Sequence, residues 1–189
     1  MGVSSGCGGS DKSSAPTGPT SLPSSTPTTT STGGIDPLAG AATTPVEGTA
    51  TGSETALLER VAVGRHEGYD RVVFQFRNAL PGYRVEYVQP PLKEDGSGNP
   101  VAIKGTAFLV VRMEPASGFD LNTGEGVMVY KGPRRLEGSA AGTSVVQELV
   151  RTGDFEAVLT WAIGLSDKVD FHVSTAASPL RLIVDLRNH

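Results

Sequence analysis

The chain has few of the residues from which cross-linked or metal-binding sites are built. Its 189 residues include one cysteine, Cys7, and three histidines, at positions 66, 172 and 189. A single cysteine excludes an intramolecular disulfide and any zinc site that needs several thiolates. The histidines do not stand at the spacing of a His-Glu-x-x-His metal motif. The sequence therefore predicts neither a metal site nor a cofactor.

Motifs of nucleophilic catalysis are also missing. A Ser-His-Asp set can be drawn from Ser139 or Ser144 with His172 and Asp185. No Gly-x-Ser-x-Gly elbow accompanies these residues, and such an elbow is what exposes the nucleophile in hydrolases of that type. We therefore expect a protein that is not an enzyme.

Long apolar runs and excess positive charge are absent as well. No run reaches the roughly 18 apolar residues that a membrane-spanning helix needs. The formal net charge is −4, and residues 55–189 hold 15 basic and 16 acidic residues, a net charge of −1. Because nucleic-acid binding requires a basic surface, we expect no nucleic-acid partner.

Composition divides the chain into two parts. Of the first 54 residues, 37 are Gly, Ser, Thr or Pro, and the first aromatic residue is Tyr69. Such a segment buries too little apolar surface to offset the roughly 1–2 kcal/mol of backbone entropy lost per ordered residue. We therefore expect residues 1–54 to be a disordered linker. Residues 55–189 contain all the aromatic residues and are predicted to fold as one domain.

The single cysteine lies in an opening stretch, VSSGC at residues 3–7, that resembles a bacterial lipobox. A lipobox cysteine bears a diacylglycerol group, and two acyl chains hold a protein durably at a membrane. We predict that Cys7 is lipidated and that the protein is an extracytoplasmic, membrane-anchored lipoprotein, touching the membrane through the lipid alone. No signal peptide precedes the motif, so lipidation implies a longer precursor. The alternative is an unmodified, exposed thiol.

Alternation of apolar and polar residues dominates the second part of the chain. Val72, Phe74 and Phe76 share one side of a predicted strand and are expected to face a core. A second strand over 83–88 ends before Pro90 and Pro91. Further strands are predicted at 57–65, 101–114, 126–130, 145–152, 154–164, 168–174 and 180–187.

Residues 144–152 fit two structures. Ser144 could cap a helix, but the β-branched residues and Gly153 favour one arm of a hairpin that turns at 152–154. The partner arm would place one set of residues on the core face, namely Phe155, Ala157, Leu159, Trp161 and Ile163. Many short strands separated by turns predict an all-β fold, a small antiparallel β-sandwich preceded by the linker.

Two segments of the domain resemble the AMIN and AMIN-like domains of bacterial envelope proteins. They are RVAVGRHEGYDRVVFQF near its start and SPLRLIVDL, residues 178–186, at its end. The likeness covers about 55–189. The long middle loops, KEDGSGNP and EPASGFDLNTGEG, are closer to the AMIN-like variant found in lipoproteins of high-GC Gram-positive bacteria.

The resemblance implies a small β-sandwich that binds or localises at the envelope without catalysis. The expected partner is peptidoglycan or another cell-wall glycan, or an envelope protein. Arg71, Arg181 and Asp185 match polar positions of the family pattern, and we interpret them as a structural ion pair or strand-end contacts. A second hypothesis is a carrier of a small apolar ligand with a pocket between the sheets. The sequence does not predict the oligomeric state.

The candidate ligand-binding residues are Tyr83, Arg84 and Tyr87 on one predicted strand. Aromatic faces stack on sugar rings and arginine forks onto carboxylates, although core tyrosines explain the same pattern. The loop at 118–126 clusters oxygen donors without the spacing of a calcium loop, so a turn is the simpler interpretation. Arg134 and Arg135 could meet a carboxylate or phosphate, or be solvated.

Overall fold

The computed structural model describes Gly2, residues 36–123 and residues 126–189, and this part of the chain is built from strands. Two single-turn 3-10 helices, Leu121–Thr123 and Ser139–Ala141, are the helical elements within it, and no helix there is long and apolar enough to cross a membrane. The strands in chain order are β1 Val46–Gly48, β2 Ala56–His66, β3 Tyr69–Phe76, β4 Gly82–Val88, β5 Ala107–Glu114, β6 Ala116–Ser117, β7 Phe119–Asp120, β8 Val127–Met128, β9 Arg135–Glu137, β10 Val146–Phe155, β11 Val158–Leu165, β12 Phe171–Ala177 and β13 Leu180–Arg187.

The strands form two main sheets and one small hairpin. The first sheet has the order β1-β4-β5-β11-β10-β9, and the second has the order β12-β13-β3-β2-β6. Strands β7 and β8 pair with each other as a separate hairpin. All pairs are antiparallel except β2 with β6. The predicted all-β antiparallel sandwich is confirmed, and the segment 144–152 forms strand from Val146 onward rather than helix.

The core lies between the two sheets and follows the predicted alternation. Val72, Phe74 and Phe76 of β3 are buried, and they face Leu159, Trp161 and Ile163 of β11. The rings of Phe74 and Trp161 lie 6.0 Å apart in a tilted arrangement. Burial of each large apolar side chain contributes about 1.5–3 kcal/mol. These side chains fill the space that a carried apolar ligand would need between the sheets.

The β10–β11 hairpin turns later than the sequence predicts. Strand β10 continues through 152–154 to Phe155, with a register shift between Arg151 and Gly153. The two turn residues are Glu156 and Ala157, with φ of 51° and 59°. The prediction was wrong because Gly153 serves a bulge rather than a turn. As a result, Phe155 and Ala157 do not join the core face of β11.

The folded domain begins before residue 55. Strand β1 lies in the predicted linker and pairs with β4, with Val46 opposite Val85. Further upstream, the amide of Ala42 donates to the carbonyl of Phe171 at 3.1 Å, and the amide of Phe171 donates back at 3.0 Å. Leu38 is buried. Residues 36–54 are therefore part of the domain, held by a few apolar contacts and backbone bonds. Residues 3–35 lie outside the described residues.

Residues 89–106 cross the outer face of the first sheet. The amide of Asp95 donates to the carbonyl of Thr152 at 3.0 Å, and the amide of Lys104 donates to Oε2 of Glu148 at 3.0 Å. Ala162 of β11 is fully buried although it points away from the core. This loop, in the middle region that departs from a minimal AMIN domain, therefore gives the first sheet a second covered face.

The two segments that resemble AMIN domains meet in the second sheet. Arg71 of β3 lies opposite Asp185 of β13, and its Nε and Nη2 donate to the two carboxylate oxygens at 2.6 and 2.8 Å. Asp70 is fully buried and accepts hydrogen bonds from the amides of Val145 and Val146. The predicted ion pair is thus formed by Arg71 and Asp185, and it joins the first and last motifs.

Candidate binding site

A cleft of about 360 Å³ opens at the end of the first sheet where β10 turns into β11. Three segments converge on it: residues 94–97 of the covering loop, Phe119 of β7, and residues 151–155 of β10. Arg134, just before β9, completes the lining. The cleft therefore combines two aromatic side chains with charges of both signs, the mixture by which protein pockets orient polar ligands.

Phe155 is the most conspicuous side chain of the cleft because 60% of it is exposed. It ends β10 and immediately precedes the turn residues Glu156 and Ala157, both of which have positive φ. A left-handed backbone costs an L-residue other than glycine about 1–2 kcal/mol, and two-residue turns of this kind favour Asn-Gly. The chain thus holds an exposed aromatic ring beside a turn whose residues are poorly suited to it.

Hydrogen bonds fix the segments around Phe155. Asp154 accepts from the hydroxyl of Ser117 at 2.8 Å and from the amide of Gly118 at 3.0 Å. The amide of Ala116 donates to the carbonyl of Ala157 at 2.8 Å. These bonds connect the end of β10 to the chain that leads into β7. The two aromatic walls of the cleft are therefore pre-positioned relative to each other.

The charges that line the cleft are arranged in pairs. Arg134 is ion-paired with Glu94, and its Nε donates to the carbonyl of Arg151 at 2.9 Å. The hydrogen bond from Arg134 holds the pKa of Glu94 below its ordinary value. Arg151 approaches Asp154 at 3.5 Å and stacks over the ring of Tyr130, with 5.8 Å from its Cζ to the ring centroid. A ligand would meet oriented, ionised groups.

Exposed apolar side chains continue from the cleft onto the β7–β8 hairpin. Phe119, which lines the cleft, lies opposite Met128 in this hairpin. Met128 is 52% exposed, Val127 is 53% exposed, and Leu121 is 70% exposed. Together with Phe155 they are the large apolar residues that the described part of the chain exposes. Exposed apolar residues that cluster in this way mark interaction surfaces.

The structure does not bring Tyr83, Arg84 and Tyr87 to one face. The two tyrosines point to the core side of β4 and are partly buried, and the hydroxyl of Tyr87 donates to the carbonyl of Val169 at 2.8 Å. Arg84 lies on the opposite side of the strand, where Glu47 and Glu86 both bind it and raise the pKa of its guanidinium. The ring of Tyr83 covers Gly48 of β1.

The other predicted sites are separated in space or lie outside the described residues. Cys7 lies outside them, as does Glu125 of the oxygen-rich loop. Within the ranges 36–123 and 126–189, no group of three His, Cys, Asp or Glu side chains is placed to hold a metal ion. Of the two adjacent arginines, Arg134 lines the cleft and Arg135 binds Glu148 at 2.9 Å.

The sequence did not predict Phe155 and Phe119 as site residues. Phe155 shares the parity of the core residues of β11, so alternation alone places it inside. The turn at Glu156 and Ala157 has no Gly, Asn or Asp to reveal it. The residue that could have indicated the site was Arg134, because the sequence indicates it as a possible contact for a carboxylate or phosphate.

Comparison with known proteins identifies the family of the domain. The family model of the AMIN-like domain matches residues 56–188, from the start of β2 to just beyond β13. No curated protein and no solved structure matches the chain. AMIN-like domains occur in extracytoplasmic envelope proteins and are generally binding modules without catalytic activity. Because the model covers most of the chain, from the first long strand to the last, this protein belongs to the AMIN-like domain family.

Proposed function

We propose that this protein is a membrane-tethered envelope lipoprotein whose AMIN-like domain binds peptidoglycan without modifying it. The contact would be made by the cleft that Phe119, Phe155, Arg134 and residues 94–97 line. An envelope protein is the alternative partner, and it would use the same exposed apolar surface. Family membership supports a location in the cell envelope, and the cleft contains side chains that could bind a ligand there.

The observation that carries the proposal is the exposed ring of Phe155 beside a strained turn. Backbone strain persists where the surrounding structure enforces it, and it concentrates at functional sites. An exposed aromatic face offers a stacking surface for a sugar ring. Ion-paired arginine and carboxylate groups around it can donate to and accept from sugar hydroxyls and peptide amides.

The charges of the cleft favour binding over hydrolysis. Glycoside hydrolysis needs a carboxylic acid whose pKa is raised so that it can protonate the leaving group. In this cleft Glu94 has a lowered pKa because Arg134 binds it. Asp154 is held by Ser117 and Gly118 as an acceptor. The lowered pKa makes Glu94 a poor proton donor for a leaving group, and the hydrogen bonds to Asp154 fix the position of its carboxylate.

The test is co-sedimentation of the purified chain with isolated sacculi. We expect Phe155→Ala to lower the bound fraction because stacking of one aromatic ring is worth about 0.5–1.5 kcal/mol, a loss of roughly twofold to twelvefold in affinity. Tyr69→Ala is the matched control. It removes an aromatic ring that does not line the cleft. Tyr69 begins β3, and its ring stacks on that of His66 at the end of β2, with 4.7 Å between the ring centroids.

Two outcomes would count against the proposal in different ways. A wild-type chain that stays in the supernatant would remove peptidoglycan as the ligand and leave an envelope protein as the partner. A wild-type chain that sediments equally well as Phe155→Ala would show that the ligand binds elsewhere than the cleft. Circular dichroism of each variant verifies that it is folded.

The tether is a separate part of the proposal and rests on the lipobox-like sequence before Cys7. Expression from a gene with an export leader fused upstream should give a protein whose mass includes a diacylglycerol on Cys7. Cys7→Ser should abolish that mass increase and release the protein from the membrane fraction. An unmodified Cys7 in the exported protein would contradict lipid anchoring and leave the binding proposal intact.

A further inference from the structure

The outer face of the second sheet carries a row of three polar side chains on neighbouring strands. Arg60 of β2 lies opposite Gln75 of β3, and Gln75 lies opposite Arg181 of β13. Neighbouring strands are about 4.8 Å apart, so the Cα atoms of the two arginines are separated by about 10 Å. Side chains of that length can reach a common group above Gln75.

The two arginines differ from most arginines of the domain because they have no partner among the residues that the structure describes. Arg71, Arg77, Arg84, Arg112, Arg134, Arg135, Arg151 and Arg187 are each in an ion pair. Arg60 and Arg181 form neither an ion pair nor a hydrogen bond with any described residue. Asp185, on the same face, is already bound by Arg71. Two positive charges are therefore left uncompensated side by side.

The surface beside these charges forms a shallow depression with a small apolar floor. It has a volume of about 200 Å³ and is lined by Arg60, Arg181, Gln75, Ala62 and Val73. Ala62 and Val73 lie opposite each other in the next row of the sheet. The floor is therefore a short apolar strip beside the two charges, on which a small apolar side chain can rest.

We propose that this depression binds the free carboxyl end of a peptide whose last residue is small and apolar. Guanidinium groups bind carboxylates through charge-assisted, often bidentate hydrogen bonds, and two uncompensated arginines would hold one such group. The side chain of the terminal residue would rest on Ala62 and Val73. This site is separate from the cleft at Phe155, and the two proposals are tested independently.

The amide of Gln75 distinguishes a peptide end from a phosphate. A glutamine side chain offers an acceptor oxygen as well as donor hydrogens. The terminal residue of a peptide presents its backbone N–H next to its carboxylate, so one ligand can satisfy the arginines and the acceptor of Gln75. A phosphate diester has no donor for that oxygen, and neither a diester nor inorganic phosphate offers the floor the small apolar side chain of a peptide end.

The experiment is titration of the isotopically labelled full chain, followed by nuclear magnetic resonance, with N-acetyl-Ala-Ala and with its C-terminal amide. We expect the acid to shift the signals of β2, β3 and β13 around Gln75, and the amide to bind at least tenfold more weakly because it lacks the charge. Inorganic phosphate, titrated in parallel, should bind more weakly than the acid.

Variants locate the site. Arg60→Ala and Arg181→Ala should each weaken binding of the acid by fivefold or more, because each removes one of the two charges. Arg65→Ala is the matched control, since Arg65 is exposed, has no ion pair with the described residues and does not line the depression. It should bind the acid as the wild type does.

Several results would overturn the inference. They are absence of binding by the acid, equal binding of acid and amide, tighter binding of phosphate than of the acid, and unchanged binding by both arginine variants. The arginine variants change partly or fully exposed side chains, so their spectra should remain those of a folded protein. Because Phe155→Ala leaves this depression untouched, loss of sacculus binding in that variant would not affect the result.

Discussion

Arg71 and Asp185 show how one pair of residues links the two ends of the domain. The side chain of Asp185 is 1% exposed and that of Arg71 is 30% exposed, so the carboxylate depends on the guanidinium for its compensation. Removing one partner of a buried pair costs about 3–5 kcal/mol, because an uncompensated charge is left behind. Exposed pairs contribute about 0–1 kcal/mol.

We therefore predict that Arg71→Ala lowers the free energy of unfolding by about 3 kcal/mol. Arg77→Ala, which breaks the exposed pair with Glu59 at 2.9 Å, should lower it by less than about 1 kcal/mol. Urea unfolding monitored by Trp161 fluorescence measures both. Equal losses in the two variants would show that the Arg71 pair has no special structural role.

Two tyrosines predict how the protein responds to alkaline pH. Burial raises the pKa of Tyr87 and of Tyr130 above the ordinary value of 10. Above about pH 10 these phenols ionise in the unfolded chain before they ionise in the folded one, so the unfolded state binds fewer protons. Their contribution to the free energy of unfolding is complete below that pH and declines as the pH rises.

The free energy of unfolding should therefore fall more steeply in the wild type than in the double variant Tyr87→Phe, Tyr130→Phe. The difference should be found between about pH 9.5 and 11, which lies within about one unit of the ordinary tyrosine pKa. The variant loses hydrogen bonds to Val169 and Pro133, so it should be less stable at pH 8. Parallel slopes in wild type and variant would contradict the assignment.

At the scale of elements, a glycine in the first sheet, whose outer face the loop 89–106 covers, differs in its surroundings from a glycine in the second sheet. A Cβ on Gly164 of β11 would overlap the carbonyl oxygen of Lys104 in the covering loop, whereas a Cβ on Gly64 of β2 would meet nothing within 4 Å. Close approach of the loop backbone therefore requires glycine at 164 but not at 64.

We predict that Gly164→Ala destabilises the domain by about 1–3 kcal/mol through overpacking, and that it increases protease cleavage within residues 89–106. Gly64→Ala should leave both properties nearly unchanged. Urea unfolding and limited proteolysis of the two variants check this. An intact, resistant loop in Gly164→Ala would show that the loop is not held against β11.

The strands of the core could be predicted from sequence because their alternation is strict. Val72, Phe74 and Phe76 are predicted and found on one face of β3. The same rule failed at Phe155, because a bulge at Gly153 and a turn without turn residues change which side chains face inward. The alternation of apolar and polar residues indicates which side chains of one strand are buried. It does not indicate where a loop such as 89–106 packs.

At the scale of the whole molecule, the N-terminal boundary decides whether the first sheet is complete. The sequence placed the boundary at residue 55, and the family match begins at residue 56, yet β1 and Leu38 belong to the domain. Composition could not reveal this, because a three-residue strand and one buried leucine barely change a segment rich in Gly, Ser, Thr and Pro.

We predict that a chain of residues 36–189 is as stable as the full chain. A chain of residues 55–189 should have a free energy of unfolding lower by at least about 2 kcal/mol, because it no longer buries one leucine and one valine. It should also self-associate through the edge of β4 that the loss of β1 exposes. Thermal unfolding and size-exclusion chromatography compare the two. Equal stability and equal size would show that residues 36–54 are dispensable.

The candidate sites were less accessible from sequence than the fold. Tyr83, Arg84 and Tyr87 are neighbours in the chain, but alternation divides them between two faces of β4. Phe119, Arg134 and Phe155 are far apart in the chain and meet only through the bulge in β10 and the hydrogen bonds of Asp154. Arg60 and Arg181 likewise meet only through the register of three strands.

We propose that this AMIN-like domain binds cell-wall material through the cleft at Phe155. Mapping the backbone amide signals of residues 36–189 during titration with solubilised peptidoglycan fragments tests it most directly. We expect the largest shifts on residues 94–97, 119, 134 and 151–157. Shifts confined to other surfaces, or no shifts at saturating fragment concentration, would contradict it.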